Sequence, residues 1–180
     1  VVARFGRLDL LVNNAGIVYG SSVLAMSRAD WDAVVETNLT GSFLCAKHAA
    51  AAMIAGGVGG KIINIGSIYS LFGTPSFASY GAAKAGVLGL TRALAIELAV
   101  HGIQVNALLP GFCETDMTAG MPGTVLGEEI RRRTPAGRWG QPDDLVGAAV
   151  FLASAASNFV TGVALPVDGG YSVTERFIHP

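Results

Sequence analysis

Four short, mostly apolar runs punctuate the chain: "LDLLV" (8–12), "KIINIG" (61–66), "IQVNALL" (103–109) and "VALPVDGG" (163–170). Successive side chains of a strand point to opposite faces, so a strand apolar at nearly every position must be covered on both sides. Longer alanine-rich stretches separate the runs. Strands alternating with helices in this way predict an α/β fold, a parallel sheet between two layers of helix.

The punctuation supports that order. "NNAG" (13–16) turns the chain after the first run. Ser27 followed by Asp30 reads as a capping box, opening a helix that continues to Met53. "GGVGG" (56–60) stops it, and a Ser/Gly/Pro-rich loop after the second strand leads to a helix from about Ser79 to Val100. Pro110 and Gly111 end the third strand. Segment 112–140 reads as a flap carrying a short polar helix at about 125–133. Pro142 suits a first helical position, with Leu145, Ala148, Ala149 and Leu152 along one face of the helix it opens. No repeat or linker interrupts 1–180, which reads as one domain.

Composition removes several function classes. The net charge is −1, and the one basic cluster, Arg131–Arg133, reads as the solvated end of a helix, so no nucleic-acid surface is expected. No apolar run approaches the roughly 20 residues of a membrane span. Cys45 and Cys113 lack CxxC or ligand spacing, which suits a reducing, cytoplasmic setting. His48, His101 and His179 show no ligand spacing either, and no metal is expected. "AGGVGGKI" (55–62) precedes a strand instead of following one and lacks the Ser or Thr of a phosphate loop. Ser67 lacks the flanking glycines of a nucleophile elbow.

In a parallel sheet of this kind ligands bind beyond the carboxyl ends of the strands. Asn13–Gly16, Ser67, Pro110–Thr115 and Asp168–Gly170 all fall there. Ser67 ends the second strand, and Tyr80 and Lys84, four apart, share one face of the following helix. An ammonium near a phenol favours phenolate, so Lys84 is expected to draw the Tyr80 pKa down towards working pH. A phenol so tuned suits proton exchange with a carbinol–carbonyl pair, and a neighbouring serine can hydrogen-bond the substrate oxygen. Tyr69 reads as a wall of the substrate pocket.

"NNAG", "ETNLTGSF", Ser67, "SYGAAKAG" and "NALLPG" together resemble the short-chain dehydrogenase/reductase family, nicotinamide-dependent oxidoreductases with a Rossmann fold, and the resemblance runs through "VDGGYS". It implies a doubly wound, three-layer αβα sheet. It also implies a catalytic tetrad: Tyr80 as general acid/base, Ser67 orienting the substrate oxygen, Lys84 lowering the Tyr80 pKa and binding the nicotinamide ribose, and Asn38 holding a water in a proton relay. By the same resemblance Asn13, Ala15, Gly16, Tyr80, Lys84, Pro110, Gly111, Cys113 and Thr115 line NAD or NADP, Cys113 mainly through its backbone. Asn13 and Asn106 also suit turn and sheet-end capping.

Small residues on the helices around 41–55 and 80–99, with the resemblance, imply a homo-oligomer, a dimer or a tetramer. The closing stretch from Arg133 to Gly162 looks like the sugar-acid and polyol branch of the family and also resembles 3-oxoacyl-carrier-protein reductases, so the expected substrate is a secondary alcohol or ketone of one of these types. The alternatives are a non-catalytic scaffold or cofactor sensor on the same fold, or an inactive fragment. Family members begin with a strand and a Gly-x-x-x-Gly-x-Gly loop around the pyrophosphate. The chain, opening in "VVARFGRLDLLV", is therefore expected to be the C-terminal part of such a domain, without its first βαβαβ portion, and to bind cofactor weakly alone, with an exposed sheet edge.

Overall fold

The computed structural model describes residues 1–175; His179 lies outside them. A four-stranded parallel sheet forms the centre, in the order β1 (Leu10–Asn13), β2 (Gly60–Ile65), β3 (Ile103–Pro110), β4 (Ala164–Val167). Around it run the one-turn α1 (Val2–Phe5), α2 (Arg28–Val35), α3 (Gly41–Gly56), α4 (Ala78–Leu98), α5 (Val125–Arg133) and α6 (Val146–Ala153).

Alternation along the strands divides the core into the layers the sequence predicts. Ile62 and Val105 pack with Ala46, Ala50, Met53 and Ala95 of α3 and α4. Their neighbours Ile63 and Leu108 point the other way, onto Leu152 of α6. Ile62, Ile103, Val105 and Met53 are wholly buried, each contributing about 2 kcal/mol by leaving water. Lys61, the one charge in β2, donates from Nζ to Asn158 Oδ1 (2.9 Å) and Ser157 Oγ (3.2 Å), so its burial is compensated.

The helix boundaries follow their signals. Ser27 caps α2 by accepting from Asp30 N at 3.0 Å. Gly57 ends α3 in the left-handed conformation (φ 67°), its N–H reaching the Met53 and Ile54 carbonyls, a geometry costly for a side-chain-bearing residue. The stretch read as one helix from Ser27 to Met53 is interrupted by a π turn over Glu36–Thr40. Asn38 accounts for it. Its Nδ2 donates to Val34 O at 2.8 Å, taking the acceptor its own backbone N–H would use, and the ladder resumes one residue late with Gly41 N–H on Glu36 O.

Candidate active site

The π turn places Asn38 where a regular helix would not. Its amide is 1% exposed and held by Ile17 O (2.9 Å) and Val34 O (2.8 Å), while Oδ1 has no partner among the described residues. Gly16 passes directly over this oxygen. A Cβ on Gly16 would lie 2.6 Å from Asn38 Oδ1 and 3.6 Å from Lys84 Nζ, so amide oxygen and ammonium border one small space.

Lys84 comes from the second turn of α4 and is 4% exposed. Nζ donates to Ile65 O at 2.7 Å, its single protein acceptor among the described residues, and lies 5.6 Å from the Tyr80 ring centroid. Burial without a carboxylate pushes its pKa down to about 8. Ser67, two residues beyond β2, caps a short turn: its Oγ accepts from Tyr69 N (3.1 Å), and Ser70 Oγ accepts from Ser67 N while donating to Lys84 O (2.8 Å). The loop after β2 and the helix carrying Tyr80 are thereby fastened together, with the Ser67 hydroxyl near enough to the Tyr80 phenol to act on its titration.

The electrostatics differ from the sequence expectation in one respect. Burial raises the Tyr80 pKa, and the nearby Ser67 hydroxyl opposes that rise. Burial outweighs the pull of the Lys84 ammonium, which stands 5.6 Å from the ring centroid and is itself disfavoured by the same dry surroundings. Tyr80 therefore rests as a protonated acid at neutral pH.

The family model described as Enoyl-(Acyl carrier protein) reductase matches residues 1–172. The 2-dehydro-3-deoxy-D-gluconate 5-dehydrogenase of Escherichia coli (strain K12) is 47% identical over 171 residues, covering 94% of this chain and 68% of that protein. The chain belongs to the short-chain dehydrogenase/reductase family. A 3-oxoacyl-[acyl-carrier-protein] reductase of Synechocystis is 45% identical over 93% of this chain and 66% of its own length. The crystal structure of a gluconate 5-dehydrogenase from Burkholderia cenocepacia J2315 in complex with NADP and tartrate matches with a TM-score of 0.93 and 46% identity, over 97% of this chain and 68% of that one. This short-chain dehydrogenase/reductase chain thus spans about two thirds of the length of the relatives it matches.

Asn38, Ser67, Tyr80 and Lys84 are brought together within the short-chain dehydrogenase/reductase fold; the remaining sequence candidates divide. Asn13 is 9% exposed and donates to Ser42 O (3.1 Å) and to Asn64 Oδ1 (2.8 Å), whose own amide reaches Thr91 Oγ1 (2.9 Å). Its side chain ties β1 to β2, α3 and, through Asn64, α4. Asn106 caps the approach to β4, donating to Val160 O and accepting from Val163 N. Ala15 is exposed beside the part-buried Gly16. Pro110 and Gly111 continue from β3, where Gly111 passes so close to Asp168 that a Cβ would sit 2.6 Å from its Cα. Cys113 turns its sulfur onto Gly140, and burial raises its thiol pKa. Its carbonyl accepts from Thr118 Oγ1 at 2.7 Å, and Thr115 is exposed at the following turn. A cavity of about 240 Å³ bordered by Cys113, Arg138, Asp144 and Asp168 is lined by none of Asn38, Ser67, Tyr80 and Lys84.

The donors suit a nicotinamide dinucleotide. A buried ammonium with one protein acceptor, beside an unpartnered amide oxygen and a glycine too close to bear a side chain, fits hydroxyl-rich ribose better than an apolar or metal ligand. No group of metal-ligating side chains occurs among the described residues.

An aromatic wall escaped the sequence reading apart from Tyr69. The Tyr69 ring meets Tyr80 edge-on at 6.3 Å, stacks on Phe77 at 6.1 Å and meets Phe112 at 5.9 Å. Ser76, the one non-glycine residue in the left-handed region among those described (φ 68°), turns the chain so that Phe77 reaches this position, at a strain cost of about 1 kcal/mol. Spacing did not signal the wall, because Phe72, Phe77, Phe112, Trp139 and Tyr171 come from four separate segments.

Proposed function

We propose that the protein is an NAD(P)-dependent oxidoreductase interconverting a secondary alcohol and a ketone, with a sugar-acid, polyol or 3-oxoacyl type substrate. The observation that carries the reading is the convergence of the Tyr80 phenol, the Ser67 hydroxyl and the buried Lys84 ammonium at the carboxyl edge of β2. The nicotinamide supplies or accepts the hydride. Ser67 donates to the substrate oxygen as negative charge grows there, and Tyr80 delivers the proton in reduction or removes it in oxidation. Lys84 holds ribose hydroxyls with its free N–H groups and supplies positive charge as Tyr80 becomes phenolate. Asn38 Oδ1 accepts from a water that returns a proton to Lys84 from solvent. The names and printed ligand of the relatives support the substrate types and the cofactor.

The reading extends to a homo-oligomer in a reducing cytoplasm. Exposed Phe43 and Leu44 on α3, Ile96 on α4 and Val150 on α6 support the first, and unpaired Cys45 and Cys113 the second. A sedimentation mass of one chain at micromolar concentration would remove the oligomer. The activity is tested with NAD(P)H carrying deuterium at C4: a ketone should gain deuterium at the carbinol carbon, and label appearing only in solvent would refute hydride transfer.

A further inference from the structure

We propose that Arg133 is the specificity-determining residue of this site, reading the carboxylate of an acidic polyhydroxy substrate whose carbinol lies at Tyr80. The inference rests on the oxidoreductase reading above and adds to it the charge of the substrate.

The sequence presents Arg131–Arg133 as three equivalent solvated cations, and the structure separates them. Arg131 is bound by Glu128 and by Gly137 O, and nearby Arg138 by Asp144. Arg133 forms no ion pair with any described residue. Its guanidinium carbon instead lies 4.4 Å from the Tyr171 ring centroid and 5.8 Å from that of Phe72. Stacking fixes the plane of a guanidinium and leaves its edge, with N–H groups in a fork, for a planar acceptor. The support is firm: Tyr171 is 7% exposed and stacks on Phe72, and α5 is capped just after Arg133 by Thr134, whose Oγ1 donates to Ile130 O at 2.8 Å.

The same wall reaches the reacting end. Phe72 meets Tyr69 edge-on at 6.1 Å, and Tyr69 meets Tyr80 at 6.3 Å. Tyr69 thus touches the ring of the proton donor, Tyr80, and that of Phe72, over which Arg133 lies. An acyclic polyhydroxy acid lying along this wall would have its carbinol at Tyr80, its hydroxyls over Tyr69 and its carboxylate on the guanidinium fork. A bidentate carboxylate–guanidinium pair supplies both affinity and register, so it selects which carbinol carbon faces Tyr80.

The test compares gluconate with sorbitol, its neutral counterpart, as substrates of the cofactor-loaded protein. Arg133→Gln should lower kcat/KM for gluconate about 10- to 100-fold, mainly through KM, and leave sorbitol within twofold. Arg133→Lys should recover part of the loss, and added salt should raise the gluconate KM of the wild type but not of Arg133→Gln. Equal losses on both substrates would make Arg133 a support for the Tyr171 turn and overturn the proposal. No loss on either would overturn it too. Turnover of neutral carbinols without gluconate would remove this inference and leave the oxidoreductase reading standing. Hydride transfer from no carbinol and to no ketone would remove both.

Discussion

Placing a methyl group on Gly16 tests the site at its tightest point. Gly16 lies outside the left-handed region, so its backbone accepts alanine, and the whole effect must come from the new Cβ. That carbon would sit 2.6 Å from Asn38 Oδ1, about 0.8 Å inside ordinary contact. Asn38 cannot swing aside freely, because its Nδ2 bonds to Ile17 O and Val34 O fix an amide that is itself buried. Relief costs one or both bonds and leaves buried carbonyls unpaired, about 2–4 kcal/mol. For a chain of this size that lowers Tm by roughly 5–12 °C. Gly89→Ala is the control: in α4 with nothing within 4 Å of its Cβ, it should stabilise by about 0.5–1 kcal/mol. Thermal unfolding of both variants, with turnover beside it, is the assay. Gly16→Ala should lose stability and, by displacing Asn38 Oδ1 from Lys84, turnover as well. A Gly16→Ala protein melting with the wild type would refute the packing of Gly16 against Asn38.

Other perturbations separate the site's parts. With its pKa at about 8, Lys84 is charged below that pH and neutral above it, so the reductive rate should fall as pH rises through about 8; Lys84→Met should remove that limb, and an unchanged pH profile in the variant would contradict the assignment. The stability linkage has the opposite sense. The unfolded chain holds this proton up to about 10.5 and the folded chain only to about 8, so stability from this group increases with pH between those values. Asn13→Ala leaves buried Asn64 Oδ1 unpaired and removes a second donor from Ser42 O, and should cost about 1–3 kcal/mol in urea unfolding, with its main effect on stability. Weaker cofactor binding at unchanged stability would instead make Asn13 a ligand contact.

The strands were legible because a parallel sheet buried on both faces leaves nearly continuous apolar runs at 10–13, 60–65, 103–110 and 164–167. Ser67, Tyr80 and Lys84 were legible because a strand end and an i, i+4 pair on a helix convert spacing directly into proximity. The setting of Asn38 was not, since a single amide capturing Val34 O creates the π turn, and helical periodicity cannot register that competition. The direction of the Tyr80 pKa was missed for a related reason: proximity to a cation was visible in the spacing, whereas the burial that outweighs it is a tertiary property. Arg133 looked like its two neighbours because what distinguishes it, the Tyr171 and Phe72 rings beneath it, arrives from sequence positions far on either side.

In the proposed mechanism Tyr80 moves the proton while Lys84 and its surroundings hold the cofactor. This is tested most directly by measuring, on Tyr80→Phe, both steady-state turnover and NAD(P)H binding by nicotinamide fluorescence. The substitution removes one oxygen from a ring still held by Tyr69, so folding and cofactor affinity should stay within a few-fold of wild type while turnover falls by about 10²–10⁴. Turnover within tenfold of wild type would contradict the account, and the proton donor would have to be sought elsewhere in the fold.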